Sequence, residues 1–171
     1  MFFSFILFLL FIGIAGLAVG ALISVKVWFS IPLFLILIAA LCFGFLWFGV
    51  LIGAAFFSWL PIFFTKLVII SFCIGLAVFF FRIFHPSYGY FPFRGWIHWA
   101  LLAVFFFIIG IDFASVGFSA WLLLIILPLF AGAIFFGTIM MQKVKTMYRS
   151  ASVLIYLPLL LFVFLGLFKL I

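Results

Sequence analysis

The chain consists of long apolar runs separated by short polar stretches, and the runs are apolar at nearly every position. Residues 31–50, for example, contain no charged side chain. A strand of a membrane barrel would alternate apolar and polar residues with a period of two, and these runs do not. Because the bilayer core leaves only helices and closed barrels as spanning structures, the pattern predicts an all-α integral membrane protein without a soluble domain.

The lengths of the runs predict a bundle of about six transmembrane helices in a single domain, residues 1–171, since each span needs roughly 20 apolar residues. We place the spans at about residues 2–25, 27–51, 61–81, 96–114, 120–141 and 151–170. The division between the second and third spans rests on a turn at residues 53–55, because no charge separates Lys26 from Lys66. Pro128 falls inside the fifth span, where it should kink the helix.

The composition supports this class and restricts the chemistry. Of 171 residues, 74% are hydrophobic and 5% are charged, and the mean hydropathy is +1.79. A soluble domain carries roughly 25% charged residues. Asp112 is the only acidic residue, so paired-carboxylate catalysis and two-metal hydrolysis cannot be assembled. Cys42 and Cys73 lie in apolar runs without a CxxC spacing. We therefore expect no enzyme, no cofactor and no metal site.

The net charge of +7 comes from basic residues that lie between the apolar runs. Their placement indicates topology-setting charge under the positive-inside rule rather than nucleic-acid binding. The connectors after the first, third and fifth spans hold Lys26, Arg82, Arg94, Lys143, Lys145 and Arg149, whereas Lys66 and Lys169 fall on the other side. The pattern predicts both termini on the non-cytoplasmic (non-matrix) side of a bacterial or organellar inner membrane.

Asp112 is the first candidate for an intramembrane or interfacial polar site, since an acid at membrane depth costs several kcal/mol and is a functional hypothesis by default. Its place at the end of the fourth span favours a solvated residue or a cap of the next helix. The alternative is a buried carboxylate that serves as a proton or cation site. In that case Lys66, on the same predicted side, is the expected partner.

Residues 82–99 form a basic, aromatic connector and are the second candidate. We interpret Arg82, His85, Arg94, Trp96, His98 and Trp99 as contacts to lipid headgroups, because cationic and aromatic side chains suit the membrane interface. The alternative is a plain topology signal. A third candidate is the face of small residues formed by Gly13, Gly16 and Gly20, which favours close helix packing, within the fold or against another subunit.

Two functions fit these observations. The first, which the sequence favours, is a non-catalytic subunit that scaffolds or stabilises a larger membrane complex; its partners would be the lipid bilayer and other membrane subunits. The second is a small binding or transport protein for an apolar or lipid-like solute. The second function would need a cavity, which we expect beside Pro128 and Pro158.

Overall fold

A computed structural model describes residues 2–24, 31–57, 61–85, 89–91, 96–118, 120–147 and 156–170. These residues form the helices α1 (Phe2–Ile23), α2 (Ile31–Phe56), α3 (Ile62–Ile83), α4 (Ile97–Ser115), α5 (Leu123–Met147) and α6 (Leu157–Phe168), with one 3-10 turn at Ala120–Leu122. Five of the described helices are long and apolar enough to cross a membrane, and α6 is a shorter apolar helix. The prediction of an all-α membrane bundle is confirmed.

The turn that we predicted at residues 53–55 is wrong, because α2 continues to Phe56. Its small residues serve helix packing instead of chain reversal. A Cβ atom at Gly53 would lie 2.9 Å from the Cα atom of Ile111 on α4. Pro61 then precedes α3 in an extended conformation. Proline suits this position because it cannot continue a preceding helix but pre-forms the start of the next.

Helix α1 crosses α5 at a contact that only glycine allows. A Cβ atom at Gly20 would lie 2.1 Å from the carbonyl oxygen of Ile134, and a Cβ atom at Gly137 would lie 2.5 Å from the carbonyl oxygen of Leu17. Each helix thus places a glycine against the backbone of the other. Such close approach provides the van der Waals contact that drives helix association in lipid.

Helix α2 crosses α4 in the same way. A Cβ atom at Gly49 would lie 2.1 Å from the carbonyl oxygen of Phe107, and one at Gly110 would lie 2.2 Å from that of Leu46. We did not predict these glycines as packing residues. Gly49 has the GxxxG spacing with Gly53, but Gly110 stands alone in its apolar run, and only the fold brings Gly49 opposite Gly110.

The helices alternate in direction, so the start of one helix lies beside the end of another at each end of the bundle. At one end, the start of α1 meets the end of α4, where the rings of Phe8 and Phe113 lie 4.8 Å apart. At the other, the end of α3 meets the start of α6, where the rings of Phe84 and Tyr156 lie 5.8 Å apart. We call the first the Asp112 end. The second is the Tyr90 end, after the residue buried there.

Candidate functional site

The carboxylate of Asp112 is buried among three helices at the Asp112 end. Asp112 lies in the last turn of α4 and is 1% exposed. The hydroxyl of Thr65, in the first turn of α3, donates a hydrogen bond of 3.0 Å to Oδ1. The ammonium of Lys169, directly after α6, pairs with Oδ2 at 2.5 Å. The solvated or capping role that we expected for Asp112 is therefore wrong.

Lys66 is not the ion-pair partner that we predicted for Asp112; Lys169 is. Successive residues of a helix point about 100° apart. Because Thr65 faces Asp112, the side chain of Lys66 points away from the carboxylate. Lys66 is half-buried. The true partner lies 57 residues away along the chain. It reaches Asp112 only because the end of α6 packs beside the starts of α1 and α3.

Two aromatic rings of α1 complete the surroundings of Lys169. Its ammonium lies 5.2 Å from the centre of the Phe11 ring and 6.0 Å from the centre of the Phe8 ring. A cation near an aromatic face is attracted by the negative face of the ring. The side chain is 13% exposed. Lys169 is therefore held on one side by a carboxylate and on the other by phenyl rings.

A cavity of about 290 Å³ opens beside the ion pair. Its walls come from the starts of α1 and α3, the segment after α4 and the end of α6. The lining residues are Ser4, Leu7, Phe8, Phe11, Ile62, Lys66, Val116, Phe118, Phe168 and Lys169. The cavity that we expected beside Pro128 and Pro158 is not this one, because neither proline lines it. Its walls are largely apolar, with four phenylalanine rings, and its charged groups are two ammonium groups and the Asp112 carboxylate behind Lys169.

The charges at this cavity do not balance. Asp112 is the only acidic side chain of the protein, and its carboxylate is already occupied by Lys169 and Thr65. Lys66 therefore brings a positive charge to the cavity without an acidic side chain of its own. An ammonium beside apolar walls favours an anionic partner, because charge-assisted hydrogen bonds are the strong ones.

The Tyr90 end is filled with aromatic side chains. Tyr90 is 1% exposed, and its ring centre lies 5.1 Å from that of Phe84, with the rings tilted, and 6.1 Å from that of Phe80, with the rings edge to face. Burial, with a smaller effect of nearby Tyr156, raises the pKa of the Tyr90 phenol well above its ordinary value. A charged phenolate is disfavoured in such surroundings. Tyr90 thus acts at this end as a neutral, packed side chain.

His98 does not face the lipid headgroups, as we had predicted. It is 4% exposed and lies among aromatic rings, 5.8 Å from the ring of Phe79 and 6.2 Å from that of Phe91. The reason is its place on α4. Its neighbours Trp96 and Ile97 take the exposed side of the first turn, which turns His98 toward α3.

The other predicted headgroup residues differ in their exposure. Trp96 is 75% exposed, and Arg82 and His85 are exposed at the end of α3. Trp99 is half-buried and stacks on the Phe91 ring at 4.9 Å. Arg94 lies outside the described residues. The structure therefore brings His98 and Trp99 into the aromatic cluster and leaves Arg82, His85 and Trp96 at the surface.

The small-residue face of α1 lies against α5 of the same chain. A Cβ atom at Gly16 would lie 2.8 Å from the Cβ atom of Ala133, and one at Gly13 would lie 4.0 Å from Leu129 Cδ2. Gly20 is the closest contact, as described above. The face is thus used within the bundle along its whole length.

The described residues contain no group of three or more His, Cys, Asp or Glu side chains that could hold a metal ion. Cys42 and Cys73 are buried thiols without a disulfide. No protein-family model, curated protein or solved structure matches this chain. The function must therefore be argued from the site itself.

Proposed function

We propose that this protein binds a lipid-like solute with an anionic head, in the cavity at the Asp112 end. One observation carries the proposal: the cavity combines apolar, partly aromatic walls with Lys66, which has no acidic side-chain partner among the described residues. Binding sites are typically concave and mostly apolar, with a few polar groups that orient the ligand. This proposal reverses the preference that the sequence suggested, because Asp112 is buried with a partner rather than solvated.

Lys66 would bind the anionic head of the solute. It lines the cavity at the start of α3, one residue after the threonine that holds Asp112. The ion pair behind it adds no net charge, so the positive charge of Lys66 is not balanced by any described side chain that lines the cavity. A zwitterionic or neutral head would gain less from this charge than a phosphate or carboxylate would.

The aromatic walls would hold the first part of an apolar chain. Phe8, Phe11, Phe118 and Phe168 line the cavity with the side chain of Ile62. A cavity of about 290 Å³ is at the small end of the range for ligand sites, roughly 300–1,000 Å³. It suits a head with a short stretch of chain, and the rest of the chain would extend into the bilayer.

Isothermal titration of the purified protein in detergent with dodecyl phosphate tests this proposal. Dodecanol and inorganic phosphate serve as ligands that carry only the chain or only the head. We expect dodecyl phosphate to bind more tightly than either. Lys66→Gln should weaken its binding by about ten- to a hundredfold, because a hydrogen bond to a charged group contributes about 1.5–3 kcal/mol.

The matched control is Lys143→Gln, which removes an exposed basic residue near the end of α5. It should leave the binding of dodecyl phosphate unchanged. Equal binding of dodecanol and dodecyl phosphate, or equal losses in the two lysine variants, would contradict an anion site at Lys66.

A second candidate function is that of a non-catalytic subunit of a larger membrane complex. A groove of about 670 Å³ on the membrane-facing side of α3 and α4 supports it. Gly75 lies in the groove, and a Cβ atom there would meet no other atom within 4 Å. A partner helix could approach closely at such a position. Co-purification of a stoichiometric second subunit in mild detergent, lost on Gly75→Leu, would support this function.

We also propose that the Asp112 end faces the non-cytoplasmic side. In the sequence, six basic residues lie close to or after the ends of α1, α3 and α5, whereas Lys66 and Lys169 lie at the Asp112 end, and cytoplasmic loops are enriched in Lys and Arg. A reporter that is active only in the cytoplasm should work when fused after Met147 and fail at the C terminus. The reverse pattern would contradict this orientation.

A further inference from the structure

The two glycine crossings of the bundle are built from corresponding residues. From α1 to α4, Leu17 corresponds to Phe107 and Gly20 to Gly110, in both cases 90 residues later. From α5 back to α2, Ile134 corresponds to Leu46 and Gly137 to Gly49, in both cases 88 residues earlier. In each crossing a glycine on one helix meets the carbonyl oxygen that lies three residues before the glycine of the other helix.

The remaining helix contacts follow the same correspondence. If α1, α2 and α3 correspond to α4, α5 and α6, the contact of α1 with α6 has its counterpart in that of α4 with α3. The contacts of α3 with α6 and of α2 with α5 are their own counterparts. With the two glycine crossings, these contacts make up six helix pairs, and all six are in contact. The described helices therefore behave as two structural repeats of three helices each.

These repeats run in opposite directions across the bundle. The start of α1 and the end of α4 lie together, since the Phe8 and Phe113 rings are in contact. Each repeat contains an odd number of helices, so the second begins on the side where the first ends. Inverted repeats of this kind are the basis of many transporters, which expose one site to the two sides of the membrane in turn.

The two ends of the bundle are also counterparts, and they differ in state. At the Asp112 end, the starts of α1 and α3 and the end of α6 surround an open cavity. The counterparts of these elements are the start of α4, the start of α6 and the end of α3. They meet at the Tyr90 end, where Phe80, Tyr90 and His98 are each less than 5% exposed.

A shallower groove marks the place where the Tyr90 end would open. It has a volume of about 420 Å³ and lies between α3 and α6, with Arg82 and Tyr156 among its lining residues. Its lining side chains Val78, Phe81 and Leu160 are more than half exposed, so it lies on the membrane-facing surface. Like the cavity at the Asp112 end, it combines a basic residue with aromatic and aliphatic walls.

We infer that this protein translocates its anionic amphiphile across the membrane by exchanging the open and closed states of its two ends. The inference rests on the proposed binding function and adds movement to it. The amphiphile would enter at Lys66, and the aromatic cluster at the Tyr90 end would separate as the cavity closes. The inverted repeats allow this exchange because each end is made of the same helix contacts in the opposite direction.

Reconstituted vesicles of phosphatidylcholine test this inference. The probe is a phosphatidic acid with a nitrobenzoxadiazole fluorophore on its short chain, distributed over both leaflets. Dithionite bleaches only the outer leaflet. Vesicles with the protein should lose nearly all fluorescence, and empty vesicles should keep about half, since phosphatidic acid cannot otherwise leave the inner leaflet quickly. A phosphatidylcholine probe with the same fluorophore should remain protected to a greater extent.

A cross-link at the Tyr90 end provides a second test of the inference. Phe84→Cys and Tyr156→Cys, in a background of Cys42→Ala and Cys73→Ala, place two thiols where the native rings lie 5.8 Å apart. A short bismaleimide should then stop translocation while dodecyl phosphate still binds. The same variant without the cross-linker should translocate.

The outcomes separate the two proposals. If dodecyl phosphate binds but bleaching stops at the level of empty vesicles, translocation is refuted and binding stands. If the cross-linked protein translocates as fast as the open one, the Tyr90 end does not move and the inference is also refuted. If dodecyl phosphate does not bind at all, the proposed binding function itself fails.

Discussion

The Asp112 end and the Tyr90 end of this bundle are built from corresponding helices but filled with different side chains. At the Asp112 end, an ion pair of Asp112 with Lys169 lies beside an open cavity. At the Tyr90 end, buried aromatic rings surround Tyr90. This end has no acidic side chain, because Asp112 is the only acidic residue of the chain. The backbone contacts alone therefore do not determine which end is open. The side chains that fill each end do.

The contrast has a physical cause. The Tyr90 end is filled mainly by aromatic rings, and Tyr90 keeps its proton because burial raises the pKa of its phenol. The groups at the Asp112 end must keep their partners, because a buried carboxylate without a counter-charge is costly. Ion pairs of this kind contribute little net stability but penalise any arrangement that separates them. The ion pair thus favours a single arrangement of side chains at the Asp112 end, whereas the aromatic side chains at the Tyr90 end can rearrange.

The largest effect is expected when Lys169 alone is removed. Lys169→Met should destabilise the protein by about 3–5 kcal/mol, because it leaves the buried carboxylate of Asp112 without a counter-charge. Asp112→Asn should cost less. Asparagine can still accept the hydrogen bond from Thr65, and Lys169 is partly exposed and can turn toward water. Unfolding in mixed micelles measures both changes.

The double variant Asp112→Leu with Lys169→Met is the control for this prediction. It removes both charges, so it should recover much of the stability that Lys169→Met loses. If Lys169→Met is as stable as the native protein, the ion pair does not hold the Asp112 end together.

The glycine crossings should respond equally if they are counterparts. Gly20→Ala and Gly110→Ala each place a Cβ atom about 2 Å from a carbonyl oxygen on the facing helix, so the helices must separate. We expect each change to destabilise the protein by about 1–3 kcal/mol, the usual cost of overpacking. Thermal unfolding in detergent gives the comparison.

Two glycines on the facing helices serve as matched controls. Gly132 on α5 and Gly44 on α2 have no atom within 4 Å of an added Cβ. Alanine at either position should be neutral or should stabilise the helix by up to about 1 kcal/mol. A large loss at only one of Gly20 and Gly110 would show that the two crossings are not equivalent.

The smallest effect concerns the protonation of Tyr90. Its phenol has a raised pKa in the folded protein, so the folded state binds this proton more tightly than the unfolded state does. The stability that this group contributes is therefore fully present below about pH 10, the ordinary tyrosine pKa, and is lost as the pH rises above that value. The loss should disappear in Tyr90→Phe. If both proteins lose stability equally between about pH 9 and pH 11, around the ordinary tyrosine pKa, Tyr90 is not responsible.

The helices could be predicted from the sequence because their apolar runs are long and uniform, as residues 31–50 show. The end of α2 could not. The small residues at 53–55 are compatible both with a turn and with a close helix contact, and the contact of Gly53 with Ile111 depends on where α4 lies. Uniform hydrophobicity thus predicts that a helix exists more reliably than where it ends.

The site depended on contacts that are distant in sequence. Asp112 was identifiable as the only acid, but its partner follows α6 and its hydrogen-bond donor lies on α3. Both require the packing of three helices to be known. The repeats were similarly hidden, because few glycine pairs recur between the halves: Gly20 with Gly110, Gly44 with Gly132 and Gly49 with Gly137. A comparison of the sequence with itself gives that signal only after the crossings are known.

Distances between spin labels test directly whether the two ends of the bundle exchange their open and closed states. In a background of Cys42→Ala and Cys73→Ala, one pair is Phe63→Cys with Trp121→Cys at the Asp112 end, and the other is Phe81→Cys with Met147→Cys at the Tyr90 end. All four native side chains are more than half exposed. With dodecyl phosphate added in vesicles, we expect a new, shorter distance at the Asp112 end and a new, longer one at the Tyr90 end. Distances that stay unchanged at both ends, or that change in the same direction, would contradict it.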